Sequence, residues 1–396
     1  MANTREVVIV GAARTAIGAY GGALKDLAPG ELGAVAVKEA FARAGVDPLQ
    51  AGQIVFGNVI HTEARDMYVS RVVGLNAGMG KESTALTLNR LCGSGLQAII
   101  TAANAIQLDE TDVAVGGGVE SMSRSLHATQ AARWGARMGD IKMIDMMIGA
   151  LSDPFGGGHM GITAENVAEK YGITREEQDA FALESQKRAT AAIAAGYFKS
   201  QIAPVEIKTR KGVTQFDTDE YPKADATMES LAKLKPAFKK EGGTVTAGNA
   251  SGINDGAAAC VLMEAGAAVR AGLKPLARLV SYGVAGVDPS IMGTGPIPAV
   301  QLALKRAGLG LQDMAVIESN EAFAAQSLGV CKGLGLDPKL TNVNGGAIAL
   351  GHPLGASGTI IAVKCLYELI RTEKRYGLIT MCIGGGQGIA LVIERI

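Results

Sequence analysis

The pattern Val37-x-x-Ala40-x-x-Arg43-Ala44-Gly45 returns 263 residues later as Val300-x-x-Ala303-x-x-Arg306-Ala307-Gly308. The same spacing carries Ser94-Gly95 onto Ser357-Gly358, and Val115-Gly116-Gly117-Gly118 resembles Ile383-Gly384-Gly385-Gly386. Ala/Gly-rich helix endings shared by any α/β units explain one such match. Several in the same order point to a duplicated unit. Two copies would pack about a pseudo-twofold axis, with the chain between them as an insertion. Within each copy strand-like and helix-like runs alternate, which argues for α/β layers. Residues 7–10 read as a buried strand, and 31–44 as a helix with a small-residue face stopped by Gly45. The run 53–56 reads as the next strand.

The length agrees with that division, since 396 residues exceed what one core normally serves. The expected units are 1–120 with 247–270, an insert at 121–246, and 271–396. The insert differs in character. It carries Trp134, a run of methionines (Met138, Met143, Met146, Met147, Met160) and a long helix over 175–195. The methionines read as packing filler. Lys and Arg number eleven between 187 and 240 against six Asp and Glu, an excess that can attract a phosphorylated ligand; a solvated face is the plainer reading. Over the whole chain 38 basic residues balance 38 acidic ones, so no global field recruits nucleic acid. The five cysteines form no CxxC pair and no metal spacing, which suggests reduced thiols and a cytoplasmic home. No secretory signal is read at the start, and no apolar stretch is long enough to span a bilayer.

Chemistry concentrates at a few glycine-rich turns. Cys92 lies in Leu91-Cys92-Gly93-Ser94-Gly95, followed by the apolar helical run 96–106. A thiol there meets unpaired N–H groups and the positive end of a helix dipole, which favour thiolate and lower a pKa of about 8.5. A buried small hydrophobe is the bland alternative; the glycine context favours a nucleophile. His352 lies in Gly351-His352-Pro353-Leu354-Gly355, a constrained turn where an imidazole suits general-base work. Cys382 ends a strand before Gly384-Gly385-Gly386, whose bared N–H groups can receive an oxyanion. Asn320, leaving another strand end, can orient a water or carbonyl.

Leu91-Cys92-Gly93-Ser94-Gly95, Asn320-Glu321-Ala322-Phe323, Gly351-His352-Pro353 with Gly355-Ala356-Ser357-Gly358, and Cys382-Ile383-Gly384-Gly385-Gly386 together resemble the thiolases. So do His159-Met160-Gly161 with Thr163-Ala164-Glu165-Asn166, and Val245-Thr246-Ala247-Gly248-Asn249-Ala250-Ser251-Gly252. The likeness runs through the whole chain and is strongest to bacterial acetyl-CoA acetyltransferases and short-chain β-ketothiolases. It implies two duplicated βαβαβαββ domains in α-β-α-β-α layers with an inserted loop domain. It further implies reversible condensation of two acetyl-CoA to acetoacetyl-CoA, and thiolysis of short 3-ketoacyl-CoA. Cys92 would carry the acyl group, His352 activate it, and Cys382 handle the α-proton. Asn320 through a held water and His352 would form one oxyanion hole, the amides of Cys92 and Gly384 the other. His159, Met160, Lys223, Phe238, Ala250, Ser251, Phe323 and Leu151 would contact the CoA arm or its acyl end. Coenzyme A enters as substrate and product, with no metal or other cofactor. Dimers or tetramers are implied, with 124–140 as a candidate assembly loop, and fatty acid metabolism is the implied setting.

The chemistry suits that division, because thiolate–thioester exchange is nearly matched in energy while carbon acidity needs a separate base. Departures are Ser319 where relatives often carry alanine, Leu354 for a common isoleucine, and Lys223 where arginine is frequent, which weakens the case for bidentate phosphate contact. Among rivals, a papain-like hydrolase requires His before Asn, whereas Asn320 precedes His352. A ketoacyl synthase would use histidine where Cys382 stands. A silent acyl-CoA-binding protein would not need all three reactive side chains.

Overall fold

The computed structural model describes residues 5–210 and 212–396. The first half contributes strand β1 (Val7–Thr15), helix α1 (Pro29–Ala44), β2 (Gln53–Gly57), β3 (Thr84–Leu88), helix α2 (Ser94–Gln107) and β4 (Val113–Ser121). The following segment holds α3 (Met160–Tyr171), α4 (Arg175–Ala194) and the two-residue strand β5 (Ile202–Ala203). β6 (Asn254–Glu264) returns to the first half. The second half supplies β7 (Ala277–Gly286), α5 (Pro296–Ala307), β8 (Val316–Ser319), α6 (Ala324–Leu334), α7 (Leu354–Thr372), β9 (Tyr376–Ile383) and β10 (Gln387–Arg395).

The main sheet runs β8-β9-β10-β7-β1-β6-β4-β2-β3. Read outward from the β1/β7 contact, the two halves repeat each other. β1–β6 and β6–β4 are antiparallel and β4–β2–β3 parallel; β7–β10 and β10–β9 are antiparallel and β9–β8 parallel. The parallel bridge Ile317↔Thr341 stands where β3 would. Even the irregularities match: β1 shifts register between Ile9 and Gly11, and β7 between Leu279 and Ser281. α1 and α5 end at Gly45 and Gly308 with φ of 65° and 67°, the left-handed caps that the sequence repeat implied.

Packing gives five layers. A central core joins side chains of α2 and α7 to the inner faces of both half-sheets, including Ile9, Leu96, Ile99, Leu366, Ile379 and Leu391. Separate outer cores lie under α1 (Val37, Phe41, Phe56) and under α5 (Val300, Ile317, Val392). Two glycines make the central layer possible. A Cβ on Gly95 would stand 2.8 Å from the Thr359 nitrogen, and one on Gly358 2.3 Å from the Leu96 nitrogen. Backbones of α2 and α7 therefore touch near their N-termini, and both chemistry-bearing turns precede those termini.

Three expectations are adjusted. The 7–10 strand continues to Thr15 because both its faces are covered. The 175–195 helix ends at Ala194, and its start is fixed by reciprocal Thr174–Glu177 capping. The methionines do not act together as filler. Met147 and Met160 are buried, whereas Met138, Met143 and Met146 are exposed.

Candidate active site

Leu91 has φ of +45°, unusual for a residue with a side chain, and the turn is pinned around it. Asn89 Oδ1 accepts from the Leu91 N–H at 2.9 Å, and Ser94 Oγ accepts from the Arg90 N–H at 2.8 Å. The Ser94 hydroxyl donates to the Leu91 carbonyl at 2.6 Å. Cys92 thus projects from a rigid, strained corner just before α2. Its sulfur receives a hydrogen bond from the Gly384 N–H. Cys382, two residues before that glycine at the end of β9, lies close enough that charge on one sulfur raises the pKa of the other.

The expected lowering of the Cys92 pKa is corrected. Burial pushes the thiol up to about 11, outweighing the Gly384 hydrogen bond, and the Glu120 charge adds a smaller push upward. Gly93, not Cys92, caps α2, so the sulfur stands one residue outside the strongest part of the dipole. Burial raises the Cys382 thiol still further, and its sulfur neighbour adds to the rise.

His352 is buried, and burial lowers its pKa to about 4, so the ring is neutral near pH 7. Its Nδ1 lies 2.6 Å from Ser357 Oγ, and the Ser357 hydroxyl in turn donates to the Pro353 carbonyl at 2.9 Å. With that proton committed, Ser357 accepts from Nδ1–H, which leaves Nε2 as the basic nitrogen. Nε2 lies 3.5 Å from Asn320 Nδ2. Asn320 Oδ1 is buried without a partner among the described residues, as is Ser319 Oγ. An orphaned acceptor beside the imidazole is a place for a held water.

Elements on all sides fix this arrangement. The His352 N–H donates to Asn254 Oδ1 at 2.9 Å, and Asn254 Nδ2 donates to the Gly18 carbonyl. Asn342 grips the residue before Asn320 from both sides, accepting from the Ser319 N–H at 2.9 Å and donating to its carbonyl at 2.7 Å. Glu120 accepts from the N–H groups of Val59, Ile60 and Gly355, tying the first half to the His352 turn. Burial pushes that carboxyl up to about 7. The sequence reading gave Ser357, Asn342, Asn254 and Glu120 no roles. Ser357 alone had a signal, its fixed place one helical turn beyond His352.

A cavity of about 490 Å³ opens from His352 to the surface, walled by Leu151, His159, Phe238, Ala250, Ser251 and Phe323 among others. His159 stacks on Phe238 with ring centroids 4.6 Å apart, and its Nδ1 accepts from the Gly161 N–H at the start of α3. Met160 packs with Phe323, Ala250 and Cys382 beneath the cavity. Leu151 packs on the other side with Cys92, Met122 and Leu354. Lys223 is exposed at the rim, its ammonium 5.8 Å from the centre of the Tyr221 ring, and Tyr221 lines the cavity. Leu151, His159, Phe238, Ala250, Ser251, Phe323 and His352 therefore border this cavity, while Asn320 reaches it only through His352 and Lys223 only through Tyr221. Among the described residues no cluster of three or more His, Cys, Asp or Glu is placed to hold a metal.

Sequence models described as "Thiolase, N-terminal domain" and "Thiolase, C-terminal domain" match residues 7–266 and 273–395. The chain belongs to the thiolase family. This thiolase is 63% identical to the beta-ketothiolase BktB of Cupriavidus necator, over 99% of this chain and 100% of that protein. It is 52% identical to the acetyl-CoA acetyltransferase of Syntrophomonas wolfei over 99% and 100% of the two chains. Among solved structures, human mitochondrial 3-ketoacyl-CoA thiolase superposes with a TM-score of 0.97 at 48% identity, each chain fully covered. The acetyl-CoA acetyltransferase of Bacillus anthracis gives 0.97 at 47%, with 99% of each chain covered. The thiolase fold and its duplication, expected from the repeat and the motifs, are what the structure has.

Proposed function

We propose that this thiolase is an acetyl-CoA acetyltransferase that condenses two acetyl-CoA reversibly to acetoacetyl-CoA and cleaves short 3-ketoacyl-CoA by thiolysis. The observation that carries the reading is the pairing of two sulfurs with one neutral imidazole at the end of a single cavity. Hydrolysis needs one thiol, and binding needs none; a second thiol beside the first serves a second proton transfer. High identity to an enzyme named beta-ketothiolase over the full length supports it.

In the first half-reaction the Cys92 proton passes to His352 Nε2 and the sulfur attacks the thioester carbonyl of acetyl-CoA. The tetrahedral oxyanion is received by preorganised N–H donors, a role assigned to the amides of Cys92 and Gly384. CoA leaves as the thiolate and takes the proton back from His352, leaving acetyl-Cys92 and a neutral ring. In the second, His352 Nε2 takes the Cys382 proton, and the Cys382 thiolate takes an α-proton from a second acetyl-CoA. The enolate oxygen is held by the Nε2–H that His352 then carries and by a water on Asn320, and the enolate carbon attacks acetyl-Cys92. Acetoacetyl-CoA forms as the Cys92 thiolate departs and takes the proton from His352 Nε2. Each step conserves protons, and the scheme asks for no metal and no cofactor beyond CoA itself.

His159, Phe238, Ser251 and Lys223 are assigned to the CoA arm, and Met160, Leu151, Ala250 and Phe323 to the acyl end. The same reading keeps 121–246 as an inserted unit between 1–120 with 247–270 and 271–396. Five free cysteines suit the cytoplasm, and short-chain acyl metabolism is the setting proposed. A homo-oligomer, dimer or tetramer, is proposed from the exposed apolar residues around Trp134.

Incubation with acetyl-CoA followed by peptide mass spectrometry is the direct test. An acetyl group on Cys92, absent from Cys92→Ala, is the expected result. An unlabelled Cys92 with CoA bound intact would replace the enzyme by a binding protein.

A further inference from the structure

The duplication exposes a place where one half is filled and the other is not. In the first half the inserted segment has a footing against β1. β5 pairs in parallel with β1 (Arg14↔Ile202, Thr15↔Ala203), and the Arg14 N–H donates to the Gln201 carbonyl at 2.9 Å. Arg43 clasps the segment, donating to the carbonyls of Ser200 at 2.6 Å and Ile202 at 3.0 Å while also reaching the Ala12 carbonyl. Phe198 and Ile202 are buried in the central core beside α7. Every residue of β1 is consequently buried.

The second half repeats the frame without the insert. The matching register shifts align Ile9 with Leu279 and Gly11 with Ser281, so Ala12 corresponds to Tyr282 and Arg14 to Val284. Arg306 stands for Arg43 and makes the corresponding bond, donating to the Tyr282 carbonyl at 2.8 Å. The guanidinium lies over the Tyr282 ring at 5.5 Å and is exposed, with no other hydrogen bond among the described residues. β7 pairs with β1 only at Ala277 and Arg278, and all its residues except Ala277 and Gly283 are partly exposed. Between β7 and α2 lies a hollow of about 270 Å³, floored by Ile100 and Ala103 and edged by Asn104, Gln107, Tyr282 and Arg306. Asn104 stands where Tyr367 partly fills the first half, which widens the hollow further.

We propose that this groove receives a turn followed by a short strand from a partner protein, as residues 196–203 provide in the first half, and that this strand adds in parallel to β7. The occupant of the first half defines its chemistry: an aromatic side chain followed four residues later by a β-branched one, as Phe198 and Ile202 are, with two backbone carbonyls turned to Arg306. Strand addition of this kind takes affinity from main-chain bonds and selectivity from alternate side chains. Arg306 matches because guanidinium donors bond bare carbonyls strongly in a partly desolvated groove. The groove is lined by the C-terminal half of α2, whereas Cys92 precedes that helix's N-terminus, so it stands apart from the reaction proposed above.

The probe is a fluorescent synthetic peptide with the sequence of residues 196–203, titrated into the full-length protein. Saturable binding with a dissociation constant below about 1 mM is expected. Arg306→Ala, and Gln107→Trp filling the hollow from its exposed rim, should each weaken it about tenfold or more. Hydrogen exchange should show new protection at 279–285, while acetyl transfer and thermal unfolding stay as in the wild type. Absence of saturation by about 1 mM, equal binding by both variants, or protection elsewhere overturns the proposal. Wild-type self-association that Arg306→Ala abolishes would give the groove to a second copy and overturn it equally.

Discussion

At the scale of single residues, the contest at Cys92 is between a helix dipole and desolvation. A dipole interaction is worth about 0.3–1 kcal/mol, whereas raising a thiol from 9.0 to about 11 corresponds to roughly 3 kcal/mol. Desolvation wins, so in the proposed reaction the nucleophile rests as a thiol and needs His352 at the moment of attack. The sign is testable. A thiol whose pKa is raised gains thiolate only as pH climbs toward that value, so alkylation of Cys92 in the free enzyme should accelerate steadily beyond pH 9. A rate that levels off below pH 8 would show a preformed thiolate instead. His352 can serve because its own lowered pKa keeps Nε2 unprotonated throughout that range. Ser357 decides which nitrogen is free, since its hydroxyl is already given to Pro353. Ser357→Ala should lower kcat about tenfold to a hundredfold with little change in KM, and Ser357→Thr should restore most of it. If the alanine variant lost stability but kept kcat, Ser357 would be packing rather than setting the tautomer.

At the scale of elements, the proposed reaction depends on how closely α2 and α7 cross. Cys92 precedes one helix and His352 precedes the other, so their separation is set by backbone contact at Gly95 and Gly358. A methyl group at 358 would stand 2.3 Å from the Leu96 nitrogen, which no rotamer relieves because the obstacle is main chain. Gly358→Ala should destabilise the fold by about 1–3 kcal/mol, as overpacking does, and should also depress acetyl transfer. Thermal unfolding and a thiolysis assay measure the two effects. A variant that unfolds earlier yet turns over at the wild-type rate would mean the crossing does not position the groups. The sequence showed the ingredients of this crossing, Ser94-Gly95 and Ser357-Gly358 in register, because small residues at matched places reveal close approach. It could not show Asn342 reaching across to Ser319, or Glu120 to Gly355, because polar bridges between remote turns leave no periodic trace.

At the scale of the whole molecule, duplication made most of the architecture legible, since two copies of one pattern must be folded alike. The insert was the least legible part, having no copy to compare. Its methionines read as filler because a hydrophobic side chain is ordinarily buried when the fold allows. Instead Trp134 is 88% exposed and Met138 98%, with Met143, Ile144 and Phe155 also open to solvent. A single exposed apolar residue needs no explanation, but this many on one segment between 126 and 155 is a surface suited to a partner. A second copy of the chain is the economical partner, because a self-complementary patch buries these residues twice. The double variant Trp134→Ser, Met138→Ser should therefore shift the mass measured by light scattering to a smaller assembly while leaving turnover per chain unchanged. Assembly and the proposed chemistry are separable, because both sulfurs and His352 come from one chain, so a smaller species that still turns over is the consistent outcome. An assembly of unchanged mass would release the segment from this role. Loss of turnover with dissociation would mean that neighbouring chains complete the cavity's mouth.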